Sequence, residues 1–200
     1  MQSQVDESRI LTIPNAVTVV RLGLVPVFLW LLFGDHDRYG AALLLAFLGV
    51  TDWVDGYAAR HLHQVSAVGK VLDPTADRVL LGVGVIAILV DHSVPAWVGV
   101  AALVREGLVA VAALVLAALG ATRIDVQWVG KAGTFGLMVA FPLFLVGHST
   151  ASWRGPAESL GWVAAVPALF LSWYATATYV PLARRALVEG HRRDPEGARP

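Results

Sequence analysis

The sequence predicts an all-α membrane protein with six transmembrane helices, and three observations carry that prediction. Hydrophobic residues make up 56% of the 200-residue chain. Charged residues make up 15%, against roughly 25% in soluble domains, and the mean hydropathy is +0.65. Apolar runs of about bilayer length recur six times, near 12–33, 40–61, 70–90, 95–119, 128–147 and 158–187.

Each run has its own character. The first follows Asp6 and Glu7 rather than a basic segment, and no small-residue cleavage site comes after it, so a cleaved signal peptide is not expected. The second and third flank a polar stretch. The fourth is interrupted by Arg105-Glu106, and the fifth opens with Gly130-Lys131. The sixth exceeds one bilayer thickness, so its end is expected to emerge as a helix into water. Residues 1–187 then form one membrane domain, and 188–200 (the run EGHRRDPEGARP falls here) a solvated cytoplasmic tail.

The connections predict orientation. One set of ends carries Arg9, Arg60, Lys70, Arg123, Lys131, Arg184, Arg185, Arg192, Arg193 and Arg199, while the opposite set (34–39, 91–94, 148–157) carries only Arg38 and Arg154. Both termini are therefore expected in the cytoplasm. Zero net charge gives no basic field for nucleic acid, and the absence of cysteine excludes disulfides, thiolate catalysis and cysteine-ligated metals.

The polar stretch DWVDGYAARHLHQVSAVGKVLDPTAD, residues 52–77, holds four aspartates beside long apolar runs. One carboxylate at the centre of a span costs about 3 kcal/mol on insertion scales, so charge there needs compensation. The positive-inside orientation moves these aspartates to the cytoplasmic ends of the second and third spans. Asp52 and Asp55 are spaced i to i+3, Asp73 and Asp77 i to i+4, and both spacings put two side chains on one helical face. The seventeen residues between Asp55 and Asp73 allow the chain to turn, so the two pairs can face each other across an antiparallel hairpin. Converging carboxylates repel and favour protonation, unless a hard cation such as Mg²⁺, Mn²⁺ or Ca²⁺ takes their oxygens as ligands. Mg²⁺ usually adds substrate phosphates to a few carboxylates, so the pattern points to a phosphate-bearing substrate. Gly56 and Gly69 allow close backbone approach, and Arg60 offers a planar cation suited to phosphate. The competing structural account has the aspartates capping helices and pairing with Arg60, Lys70 and Arg78. It explains one aspartate better than four in this spacing.

The same residues carry a resemblance. The stretch resembles the CDP-alcohol phosphatidyltransferases, whose signature D-x2-D-G-x2-A-R-x8-G-x3-D-x3-D is supplied by Asp52, Asp55, Gly56, Ala59, Arg60, Gly69, Asp73 and Asp77 without gap or mismatch. LTIPNAVTVVRL is similar to the family's first helix. The resemblance implies a six-helix membrane enzyme, commonly a homodimer, in the cell (inner) membrane with its site open to the cytoplasmic leaflet. It implies metal ligands at Asp52, Asp55 and Asp73, and Asp77 as general base and further metal contact, with Mg²⁺ or Mn²⁺, two ions, as cofactor. It places CDP-binding residues at Gly56, Arg60, Ser66 and Gly69, with Asn15 and Thr18 also on the nucleotide side. Asn15 reads equally as a helix cap after Pro14. CDP-diacylglycerol is then the donor, a glycerol-type lipid or alcohol the acceptor, and CMP the leaving group.

The acceptor is sought among other polar residues in the spans. An arginine within a membrane is a functional candidate, so Arg105 and Lys131 are the expected acceptor-binding residues; an Arg105–Glu106 pair and an interfacial Lys131 are the structural alternatives. VREGLVAVA is similar to the fourth helix of phosphatidylglycerophosphate synthases, but Ala113 stands where an arginine is expected, and Gly133 and Leu137 replace a lysine and a glutamine in their fifth-helix pattern. VGKAGTFGLMVAFP is closer to actinobacterial CMP-forming cardiolipin synthases. These losses of polarity favour phosphatidylglycerol as acceptor over glycerol 3-phosphate, and arginine at 113 with lysine at 133 is expected to shift that preference. A cation transporter is the rival class, but it should carry ionisable residues near the midplane of several spans, often in inverted repeats, whereas here the acids cluster at one face and no repeat is visible. His61 and His63 read as solvated rather than as ligands. Trp97, Trp128, Trp153, Trp162 and Trp173 read as interfacial anchors, and Gly82 and Gly84 as sites of close packing.

Overall fold

The computed structural model describes the backbone over residues 13–62, 69–118 and 128–193, and the side chains over 18–51, 80–115 and 128–178. Within those residues the chain is all-helical, with six helices joined by short connections: α1 (Ile13–Leu29, extended by a π-helical turn Trp30–Gly34), α2 (Arg38–Leu62), α3 (Gly69–Val90), α4 (Ala96–Ala118), α5 (Trp128–Gly147) and α6 (Arg154–Arg193). The helices follow the six apolar runs closely. Among the described residues, Ala96–Val115, Trp128–Gly147 and Arg154–Thr178 are long and apolar enough to cross a membrane, and α1, α2 and α3 carry shorter apolar segments, Thr18–Phe33, Arg38–Thr51 and Leu80–Val90. α6 continues to Arg193, so the expected emergent helix reaches into the segment read as tail.

Lipid tails are as apolar as leucine, so helices in a membrane associate mainly through close packing. α5 and α6 form the most extensive contact. A Cβ at Gly133 would stand 2.7 Å from the Ser172 backbone nitrogen and 2.9 Å from the Ala168 carbonyl oxygen; one at Gly136 would stand 2.6 Å from Ala168 Cβ. Close packing therefore falls on Gly133 and Gly136. Of the two glycines expected to pack, Gly84 faces Leu45 at 3.7 Å and Gly82 has open space around it. Trp97, Trp128 and Trp153 are exposed as anchors are, but Trp162 stacks on Trp97 at 5.8 Å and meets Phe144 edge-on at 5.4 Å.

α1 packs against α2 and α3, α5 also reaches α2, and α4 packs against α6 and α3. Phe28, Leu32, Val85, Ile88, Phe144 and Leu145 are fully buried between them. α3 ends in a left-handed cap at His92 (φ 58°), where His92 N–H donates to Leu89 O and Ser93 N–H to Ile88 O, satisfying carbonyls that the last turn would leave open. The side chain of Asp91 at this cap accepts two hydrogen bonds from Arg38 at the start of α2, and a third from Ser93 Oγ. Arg38 Nη1 also reaches the His148 carbonyl, at 3.4 Å, beyond the end of α5. The start of α2 thus meets the end of α3, and the two helices run antiparallel.

Candidate active site

That antiparallel arrangement decides where the signature residues fall. α2 runs from the Arg38 end towards Asp52 and Asp55, and α3 starts near Asp73 and Asp77 and runs back. Both pairs lie on helical backbone, in the far half of α2 and the near half of α3, at the end of the bundle opposite the Arg38–Asp91 link. Gly56, Arg60 and Gly69 belong to the same two helical segments, and Asn15 to the first turn of α1. The side chains of all these residues, the whole of Ser66 and the metal alternative at His61 and His63 lie outside the described residues.

Between the helices is a cavity of about 270 Å³. Leu45, Leu48 and Gly49 line it from α2, and Leu80, Leu81, Gly84, Val85 and Ile88 from α3. Leu48 precedes Asp52 by one helical turn, and Leu81 follows Asp77 by one turn, so the described lining on both helices ends about one turn from the aspartate positions in sequence. Its volume lies below the roughly 300–1,000 Å³ of sites that enclose whole drug-sized ligands.

The polar lining comes from other helices. Arg105 is 7% exposed; its Nη1 donates to Glu106 Oε1 at 3.0 Å and to Thr134 Oγ1 at 3.2 Å on α5. Its Nε, also buried, has no hydrogen-bond partner. Thr134 in turn donates to the Gly130 carbonyl at 3.1 Å, which fixes the hydroxyl as an acceptor for the arginine. The pair with Glu106 is thus present, and Arg105 lines the cavity. An arginine held this way, with hydrogen-bonding capacity left over, suits an oxyanion.

Arg21 on α1 lines the same cavity and is 6% exposed. Sequence reasoning passed over it, although it is the one charged residue in the first apolar run, and an ionisable residue in a span marks a functional position. Thr18, one turn before Arg21 on the same helical face, is 4% exposed. Two arginines and one glutamate leave the described lining with one net positive charge.

The positions on which the acceptor reading rested separate here. Leu137 lines the cavity, as that reading requires. Ala113 is exposed on α4 and not part of the lining, and Gly133 is buried against α6. Lys131 is exposed on α5, next to Gly130, and does not line the cavity. The expectation that arginine at 113 and lysine at 133 retune the acceptor is corrected accordingly: the first is not at the cavity, and the second would break the α5–α6 contact.

No group of three or more histidine, aspartate or glutamate side chains among the described residues is placed to hold a metal ion. The donor set that fits one is the four aspartates. Their oxygens are the ligands a hard divalent cation takes, and the antiparallel helices carry one pair each at the same end.

The profile described as CDP-alcohol phosphatidyltransferase matches residues 11–184. The chain belongs to the CDP-alcohol phosphatidyltransferase family. It is an integral membrane enzyme of phospholipid biosynthesis, from a family that generally depends on divalent metal. It is 38% identical over 189 residues to a cardiolipin synthase (CMP-forming) of Streptomyces coelicolor, covering 92% of this chain and 88% of that one. It is 34% identical over 179 residues to a putative cardiolipin synthase of Mycobacterium tuberculosis (90% and 86%), and 33% over 183 residues to a probable phosphatidylglycerophosphate synthase of the same species (89% and 84%).

Proposed function

We propose that this phosphatidyltransferase is a CMP-forming cardiolipin synthase, transferring the phosphatidyl group of CDP-diacylglycerol to phosphatidylglycerol. The observation that carries the choice of acceptor is the charge of the cavity's described lining. Glycerol 3-phosphate brings about two negative charges, and its desolvation calls for several fixed cations. A described lining with one net positive charge, otherwise built from residues such as Leu45, Leu81, Val85 and Leu137, suits one phosphodiester. The two cardiolipin synthase relatives support the same choice. Glycerol 3-phosphate is the second reading, favoured by the phosphatidylglycerophosphate synthase relative and by the presence of two arginines.

Asp52, Asp55 and Asp73, with Asp77, would hold two Mg²⁺ or Mn²⁺ ions. Divalent metal bound there supplies positive charge that offsets the charge building on the leaving pyrophosphate oxygens. Gly56, Arg60, Ser66 and Gly69, with Asn15 and Thr18, hold the cytidine diphosphate. Arg105 holds the acceptor's phosphodiester, with Lys131 attracting it from the interface. Asp77 takes the proton of the acceptor's hydroxyl as that oxygen bonds to the lipid-side phosphorus; the bond from phosphorus to the bridging oxygen breaks, and CMP leaves. Read as six spans, the chain has both termini and the aspartate end on one side, which the excess of arginine and lysine at those ends assigns to the cytoplasm, in a cell (inner) membrane enzyme that works as a homodimer, with residues 1–187 as its membrane domain and 188–200 as a tail.

The test offers purified protein CDP-diacylglycerol with phosphatidylglycerol and glycerol 3-phosphate together. Cardiolipin and CMP are expected, with Mg²⁺ or Mn²⁺ required and chelator abolishing release. Phosphatidylglycerophosphate as the product would establish the second reading instead.

A further inference from the structure

A carboxylate stands in the cavity beside the arginine that is to hold an anion, and its presence needs a reason. Glu106 lines the cavity with its side chain 29% exposed. Its Oε1 is engaged by Arg105 Nη1, and Oε2 makes no hydrogen bond. Arg105 does not depend on Glu106 alone, because Thr134 Oγ1 gives Nη1 a second acceptor. Glu106 therefore keeps an acceptor oxygen that holding the arginine does not use. A carboxylate offers acceptors only, so a ligand that meets it must donate. An anionic phosphate cannot; a hydroxyl can. A terminal glyceryl phosphate, the acceptor class of the proposed function on which this rests, carries two hydroxyls, and only the primary one reacts.

We propose that Glu106 is a specificity-determining residue that accepts a hydrogen bond from the secondary hydroxyl of the acceptor's glyceryl headgroup while Arg105 holds its phosphate. The two contacts, from adjacent residues on α4, fix both ends of the headgroup and present the primary hydroxyl for attack. The primary oxygen forms the new bond to phosphorus, its proton goes to the general base, the bond to CMP breaks, and the secondary hydroxyl is unchanged. The enzyme should accordingly select vicinal diols over alcohols with one hydroxyl.

The experiment compares two matched pairs: phosphatidylglycerol with phosphatidyl-1,3-propanediol, and glycerol 3-phosphate with 3-hydroxypropyl phosphate. Which pair reacts tests the acceptor reading. Within whichever pair reacts, the wild type is expected to favour the diol in kcat/KM by about tenfold or more, the range of one hydrogen bond to a charged group. Glu106→Gln keeps an oxygen for Arg105 but turns an amide donor towards the diol, and should bring the pair to within about threefold with KM for CDP-diacylglycerol unchanged. Glu106→Asp retains the acceptor and should preserve most of the preference. An equal loss for both members of the pair in Glu106→Gln, or a wild type indifferent to the missing hydroxyl, would overturn the proposal.

Discussion

Arg38 and Asp91 are joined twice, Nε to Oδ2 at 2.8 Å and Nη2 to Oδ1 at 3.1 Å, across the end of the bundle remote from the signature aspartates. The hydrogen bond to Asp91 raises the Arg38 guanidinium above its ordinary pKa. Arg38 is 39% exposed in its side chain but Asp91 only 7%, so the larger loss on removing the arginine is a carboxylate left short of partners. Arg38→Ala should lower stability in detergent by about 1–3 kcal/mol, read by thermal unfolding, with CMP release per folded molecule unchanged.

Asp77→Asn should leave CDP-diacylglycerol binding largely intact while removing most turnover. The amide still accepts a hydrogen bond but takes no proton at neutral pH. Asp52→Asn and Asp73→Asn should weaken metal-dependent nucleotide binding instead. Binding titrations beside single-turnover rates separate the two effects; near-normal turnover by Asp77→Asn would show the base to be elsewhere.

Arg105→Gln removes the charge but keeps a side chain able to meet Thr134. Loss of one charge-assisted hydrogen bond, about 1.5–3 kcal/mol, corresponds to an acceptor KM raised about tenfold to a hundredfold. KM for CDP-diacylglycerol should move by much less. Equal effects on both substrates would assign Arg105 to packing.

Gly133→Ala puts a methyl group 2.7 Å from the Ser172 backbone nitrogen, and backbone cannot rotate away. Overpacking of this kind costs about 1–3 kcal/mol, so the variant should unfold at lower temperature in detergent. The acceptor preference of whatever remains folded should match the wild type.

Much of this was legible in the sequence. The six helices follow the apolar runs because hydropathy and helix length answer to the same bilayer thickness. The aspartate spacing identified the family because eight residue types at fixed separations leave little room for coincidence. Gly133 and Ala113 were misread because a substitution pattern compares residue types without saying which face of the helix each occupies. Gly133 answers to Ser172, thirty-nine residues away in sequence, and Ala113 points away from the cavity. Arg21 escaped notice for a related reason: its role depends on α1 lying against the cavity that Arg105 enters from α4, a juxtaposition no local pattern encodes.

The central claim is transfer of an intact phosphatidyl group from CDP-diacylglycerol to phosphatidylglycerol. Purified protein given CDP-diacylglycerol with deuterated acyl chains and unlabelled phosphatidylglycerol, followed by mass spectrometry of the lipid product, tests it most directly. The account predicts cardiolipin with one labelled and one unlabelled phosphatidyl half, formed in step with CMP. Unlabelled cardiolipin, or labelled phosphatidylglycerophosphate as the only product when glycerol 3-phosphate is also supplied, would contradict it.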